Sequence, residues 1–103
     1  MPRPKPPTAC ANLDEVRAEI DRIDRDIVAA LGRRRGYVHA AARFKTDEAS
    51  VRAPERLAAM IAERRRWAEA AELPPDLVEH LFRDLVAAFT ALELADWHSA
   101  PDC

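Results

Sequence analysis

Several charged side chains fall where helical patterning would otherwise place apolar ones. Counted from Leu13 at about 100° per residue, Arg34 lies in line with Ile23 and Ile27. Lys45 falls near the centre of the same apolar stripe, whereas Arg33 and Arg35 fall outside it. A buried, unpaired cation is costly, so each inward cation requires an anionic partner from the protein or from a ligand. One reading is structural, with Arg34 and Lys45 paired to carboxylates of neighbouring helices. Glu93, however, is the one candidate acid on the flank of the last helical stripe. One acid does not neutralise two cations, and that leaves room for a bound anion.

Arg17 sits at the edge of the stripe that carries Arg34, 17 residues earlier, which is about 25 Å along a helix. Both cannot touch one small ligand from the same chain. In an antiparallel pairing of two such helices, Arg17 of one subunit can approach Arg34 and Lys45 of the other. Arg56, just inside the next helix, can close the same site. The result is a composite pocket of three or four cations and one acid, suited to a small dianion. The residues for other chemistries do not assemble. No Ser-His-Asp or Cys-His arrangement can be placed, and no glycine-rich phosphate loop exists. His39, His80 and His98 lack metal-ligand spacing and read as surface or satisfied histidines. The arginine runs 33–35 and 64–66 read as solvated helix faces.

The elements that must position these residues are helices. Residues 1–11 read as a flexible, proline-rich leader. Asn12 offers an N-cap, with Glu15 three residues on as its reciprocal partner. Leu13, Val16, Ile20, Ile23, Ile27, Leu31, Val38 and Ala41 then recur at helical spacing, and nothing stops the pattern before about Thr46. Gly32 and Gly36 weaken it only slightly. Residues 47–53 read as a polar loop. Pro54 opens a second helix, striped by Leu57, Met60, Ile61 and Trp67, which ends before Pro74-Pro75. Pro75 opens a third, striped by Leu77, Val78, Leu81, Phe82, Leu85, Phe89 and Leu92, running to about Trp97 or His98. A single helical domain thus covers residues 12–98, with a short tail at 99–103. The first helix, roughly 33 residues or about 50 Å, is longer than a compact domain of this size is wide. Two shorter helices cannot cover its stripe, so the expectation is an all-α homodimer with long, intertwined first helices.

Composition agrees. Of 103 residues, 49% are apolar, 33% are charged and only 2 are glycine, which describes a folded, helix-rich chain. The formal net charge of −2 with interleaved signs argues against nucleic acid or a membrane surface as partner. No apolar run approaches membrane-spanning length, and the proline-rich start has no apolar stretch behind it to make a signal peptide. Cys10 and Cys103 lie in the two tails, so no structural disulfide is expected and the cytoplasm is the expected location.

At this point a resemblance can be stated. The stretch Leu13-Asp-Glu-Val-Arg17-Ala-Glu-Ile-Asp21-Arg-Ile-Asp24 resembles the opening of the all-helical chorismate mutases, and Leu31-Gly-Arg-Arg34 resembles their second binding arginine. Ala42-Arg-Phe-Lys45, Ala53-Pro-Glu-Arg56-Leu-Ala-Ala-Met60 and Arg66-Trp67-Ala-Glu resemble the isochorismate pyruvate lyases of that class in particular. The likeness runs from about Leu13 to Trp97. It implies that Arg17 from the partner subunit, Arg34 and Arg56 hold the two carboxylates of chorismate or isochorismate. It implies that Lys45 contacts a carboxylate and the ether oxygen of the breaking C–O bond, and that Val38, Met60 and Phe89 wall the pocket. Glu93 stands where the lyases carry an ether-contacting glutamine; some mutases of the class carry glutamate there. Glutamine donates a hydrogen bond at any pH, glutamate only when protonated. Arg34, Lys45 and Glu93 are thus the candidate catalytic residues.

The implied reactions are cofactor-free and metal-free pericyclic steps: isochorismate to salicylate and pyruvate, or chorismate to prephenate. Such a step needs a compressed substrate conformer and charge complementary to a polarised transition state, and no nucleophile. The lyase with mutase side activity is the leading expectation, and a plain mutase the alternative. A mutase acting on an amino analogue of chorismate is a further one. A helical dimerisation module explains the long helix equally well, but not the inward Arg34 and Lys45.

Overall fold

The computed structural model describes residues 5–99. Every element among them is helical: α1 (Leu13–Ala42), α2 (Glu48–Arg52), α3 (Pro54–Ala70) and α4 (Pro75–Ser99), preceded by a 3-10 turn at Pro7–Ala9. The chain divides at Gly36/Tyr37 into two units. Residues 1–4 of the expected leader at 1–11 and residues 100–103 of the expected tail at 99–103, Cys103 included, lie outside the described residues.

In the first unit α1 begins where Asn12 accepts the Glu15 N–H on its side chain at 2.9 Å. The return bond differs from a capping box. Glu15 reaches past Asn12 and accepts the Ala11 N–H at 2.6 Å and the Lys5 ammonium at 2.7 Å. The Ala11 N–H and then the Lys5 ammonium hold its carboxyl below the usual glutamate range. The stripe Leu13, Val16, Ile20, Ile23 and Ile27 remains between 37% and 59% exposed, and no apolar side chain among the described residues of this unit is buried.

In the second unit α1 ends at Ala42, short of the expected Thr46. Arg43, Phe44 and Lys45 donate their N–H groups to Ala40, Ala41 and Ala42 in tightened i to i+3 turns. The physical reason is a competing helix start. Asp47 is extended (φ −154°, ψ 170°) and its carboxylate caps the Ser50 N–H at 2.7 Å, opening α2 inside the stretch expected to be a loop. Ala53 takes the left-handed conformation (φ 39°), closing α2 and leading directly into Pro54 of α3. After α3, Glu72 is left-handed (φ 61°) and Leu73 donates to Ala68 O at 2.9 Å, a Schellman-type closure made without glycine.

The buried apolar side chains Ala42, Val51, Met60, Ile61, Ala68 and Val78 all belong to this second unit. Arginines bolt α3 to α4. Arg65 donates to Asp76 and Glu79 at 2.8 Å each. Arg64 stacks over Trp67 at 4.5 Å and Phe82 at 5.4 Å. The run 64–66 is therefore not a solvated face, since Arg64 is turned inward and only 14% of its side chain is exposed. Trp67, expected on the apolar side, is half exposed.

Candidate functional site

The centre of the site is a lysine outside any regular helix. Lys45 occupies the turn between α1 and α2, so its inward direction does not come from the wheel of the first helix. It comes from three contacts. Its ammonium donates to Ser50 O at 2.9 Å and stands 3.9 Å from Glu93 Oε2. Its main-chain carbonyl accepts the Trp97 indole N–H at 3.1 Å. That carbonyl lies just past the end of α1, where helix geometry supplies no partner of its own.

Glu93 is the buried charged side chain among the described residues, at 7% exposure. It is presented by α4, whose apolar neighbours carry it inward. Its Oε2 is buried and accepts no hydrogen bond, because the Lys45 ammonium stands beyond hydrogen-bond reach. A buried polar atom of that kind marks a place where a further group can be received. The pair Lys45–Glu93 therefore places one cation beside one polar acceptor or donor. This combination can hold an anion and grip an ether oxygen, with no nucleophile involved.

Other candidate residues are distributed as follows. Met60 is buried on α3, and Val38 and Phe89 are half-buried on α1 and α4. Arg56 is exposed in the first turn of α3. These four share the second unit with Lys45 and Glu93. Arg17 and Arg34 lie in the first unit. Arg17 is exposed, and Arg34 is half-buried between exposed Arg33 and Arg35.

Sequence reasoning passed over the residues that set the Lys45 turn. Asp47 followed three residues later by Ser50 is a helix-start signal that was available. Trp97 carried none, since its contact with Lys45 spans 52 residues and goes to the main chain. The histidines are peripheral: His39 meets Asp96 at 2.9 Å, His98 meets Glu48 at 3.0 Å and His80 faces Asp84 at 3.5 Å, all three on exposed surface. No described helix is long and apolar enough to cross a membrane.

Comparison with known proteins bears directly on this arrangement. Residues 16–94 match the chorismate mutase type II family. Over 93 residues the chain is 50% identical to isochorismate pyruvate lyase of Pseudomonas aeruginosa, covering 90% of this chain and 92% of that protein. Over 74 residues it is 36% identical to the T-protein of Enterobacter agglomerans, covering 71% of this chain and 20% of that protein.

Proposed function

Since the chain belongs to the chorismate mutase type II family, we propose that it is an enzyme acting on chorismate-type dianions, an isochorismate pyruvate lyase that also has chorismate mutase activity. The observation that carries the lyase reading is the 50% identity to the Pseudomonas aeruginosa lyase along nearly the whole of both chains. The Lys45–Glu93 pair supports an enzyme of this family and does not by itself choose lyase over mutase.

The chemistry follows from what the side chains can do. In the lyase reaction the ether C–O bond breaks while a ring hydrogen moves to the methylene carbon of the enolpyruvyl group. The ring becomes aromatic salicylate and the side chain leaves as pyruvate, so atoms and electrons balance within the substrate. The protein supplies position and field. Lys45 places positive charge at the ether oxygen, where negative charge grows as the bond stretches. Arg34, Arg56 and Arg17 of the partner subunit hold the two carboxylates and fold the substrate into its reactive conformer. Val38, Met60 and Phe89 form the apolar wall. Glu93, when protonated, donates a second hydrogen bond to the ether oxygen.

The assembly in this reading is a cytoplasmic homodimer with two composite sites. The exposed Leu13–Ile27 stripe supports it, because an apolar face of that extent on one helix calls for a cover. A chorismate mutase proper is the second reading, favoured by glutamate at position 93 and by the T-protein match.

Purified protein given isochorismate and chorismate in separate assays decides between them. Salicylate and pyruvate from isochorismate, with weaker prephenate formation from chorismate, are expected. Prephenate alone would make it a mutase. Mixing Arg17→Ala with Lys45→Ala tests the composite site. Each mixed dimer regains one intact site, so random reassortment should restore roughly a quarter of wild-type activity. No recovery on mixing would overturn the shared site.

A further inference from the structure

Glu93 and Trp97 are four residues apart on α4 and so lie on one face of it. Both address the same residue, at opposite ends. Glu93 stands 3.9 Å from the Lys45 ammonium, and the Trp97 indole N–H donates to the Lys45 carbonyl at 3.1 Å. Lys45 itself sits in a turn, outside α1 and outside α2. A lysine in a turn has a movable backbone as well as four side-chain rotors, and reaction at an ether oxygen tolerates little misplacement. On the turn side, Ser50 O receives the ammonium, and His98, the neighbour of Trp97, meets Glu48 in the first turn of α2.

We infer that Trp97 is a positioning residue for catalysis: its indole N–H fixes the main chain of Lys45, so that the face of α4 that meets the lysine ammonium through Glu93 also sets where that ammonium starts from. The inference rests on the reading of Lys45 as the residue that touches the substrate's ether oxygen. Trp97 itself touches no substrate. The competing explanation is packing, since the ring is half-buried and meets His98 edge-on at 5.0 Å and 69°.

Trp97→Phe separates the two, because it keeps an aromatic ring and removes the N–H. The variant should fold, with a cooperative melt and unchanged helix content. Its kcat should fall roughly 10- to 100-fold, more than its KM rises. In a Lys45→Ala background the same change should cost almost nothing further, because there is no ammonium left to position. Equal losses in both backgrounds would overturn the inference in favour of packing, and so would unchanged kcat in the wild-type background. Should Trp97→Phe fail to fold, the contact is still read in the wild-type protein by amide-type exchange of the Trp97 indole N–H. Protection from solvent is expected, and rapid exchange overturns the inference. The underlying site reading fails separately: Lys45→Ala with wild-type turnover would remove it before Trp97 is altered.

Discussion

The two ends of α4 carry opposite kinds of ion pair. At its start, Arg65 meets Asp76 and Glu79 at 2.8 Å each, and Arg83 meets Glu79 at 2.7 Å. Every contact there is short, and Asp76 is 94% exposed. Towards its end, Lys45 and Glu93 stand 3.9 Å apart with side chains only 26% and 10% exposed. The first cluster has good geometry towards the surface, where such pairs contribute little, although Glu79 itself is only 28% exposed. The second has loose geometry away from water, where imperfect pairing is costly. A fold selected for stability alone would place its tight pairs inside and leave the loose ones to solvent. On the proposed reading, the inner pair is spaced for a third participant, an anion or ether oxygen between or beside the two groups.

If that contrast is right, the largest effect belongs to the inner cation. Lys45→Ala should lower kcat/KM for isochorismate on the order of 100-fold or more, with the helical fold retained. Steady-state kinetics beside a thermal melt checks both halves, and a loss of folding without a specific loss of turnover would break the contrast. Next comes the inner acid. Glu93→Gln keeps the size and supplies a hydrogen-bond donor, so it should retain or raise turnover, whereas Glu93→Ala removes the polar group and should lower kcat roughly tenfold. Steady-state kinetics of both variants checks this: a glutamine variant as impaired as the alanine one would show that position 93 does not act by donating a hydrogen bond.

How much of this was legible in the sequence depends on whether the signal is local. Asn12, Pro54 and Pro75 announce the starts of the three long helices, because caps and first-turn prolines act through their own backbone. Glu93 was legible too, as an acid on the flank of an apolar stripe. The end of α1 was not read correctly. The apolar period runs on past Ala42, and the cap pair Asp47 and Ser50 outcompetes it. Lys45 was therefore placed inward for the wrong reason: a helical wheel rather than a turn held by Trp97 and Ser50. Arg64 was within reach of a better reading, since it lies three residues after Ile61 and four before Ala68, both buried. Its neighbours Arg65 and Arg66 disguised it as part of a charged surface run.

A smaller effect than either inner substitution is expected where the Lys45 turn is held indirectly. The Ser50 N–H donates to the Asp47 carboxylate and holds its carboxyl below the usual carboxylate range. A depressed folded-state value means the cap contributes fully above the ordinary aspartate value and is lost as pH falls through the lower one. Asp47→Ala should therefore fray α2 at neutral pH and lower kcat several-fold by loosening the turn that carries Lys45. It should also remove part of the acid sensitivity expected of the wild-type melt. Asp47→Asn keeps a capping oxygen and should restore most of the activity; failure to do so would mean that charge rather than the cap matters there.

The smallest effect is expected at the tightest pairs. Arg65→Ala breaks both 2.8 Å contacts, leaving exposed Asp76 to water and Glu79 to its remaining partner Arg83. Turnover should stay at the wild-type level and Tm should drop only slightly, the more so in high salt, which already screens exposed charges. The comparison becomes sharper if salt lowers the wild-type melting temperature towards that of Arg65→Ala while Lys45→Ala responds as wild type does. It breaks if Arg65→Ala costs turnover on the scale of Lys45→Ala, since the start of α4 would then be coupled to the site as closely as its end.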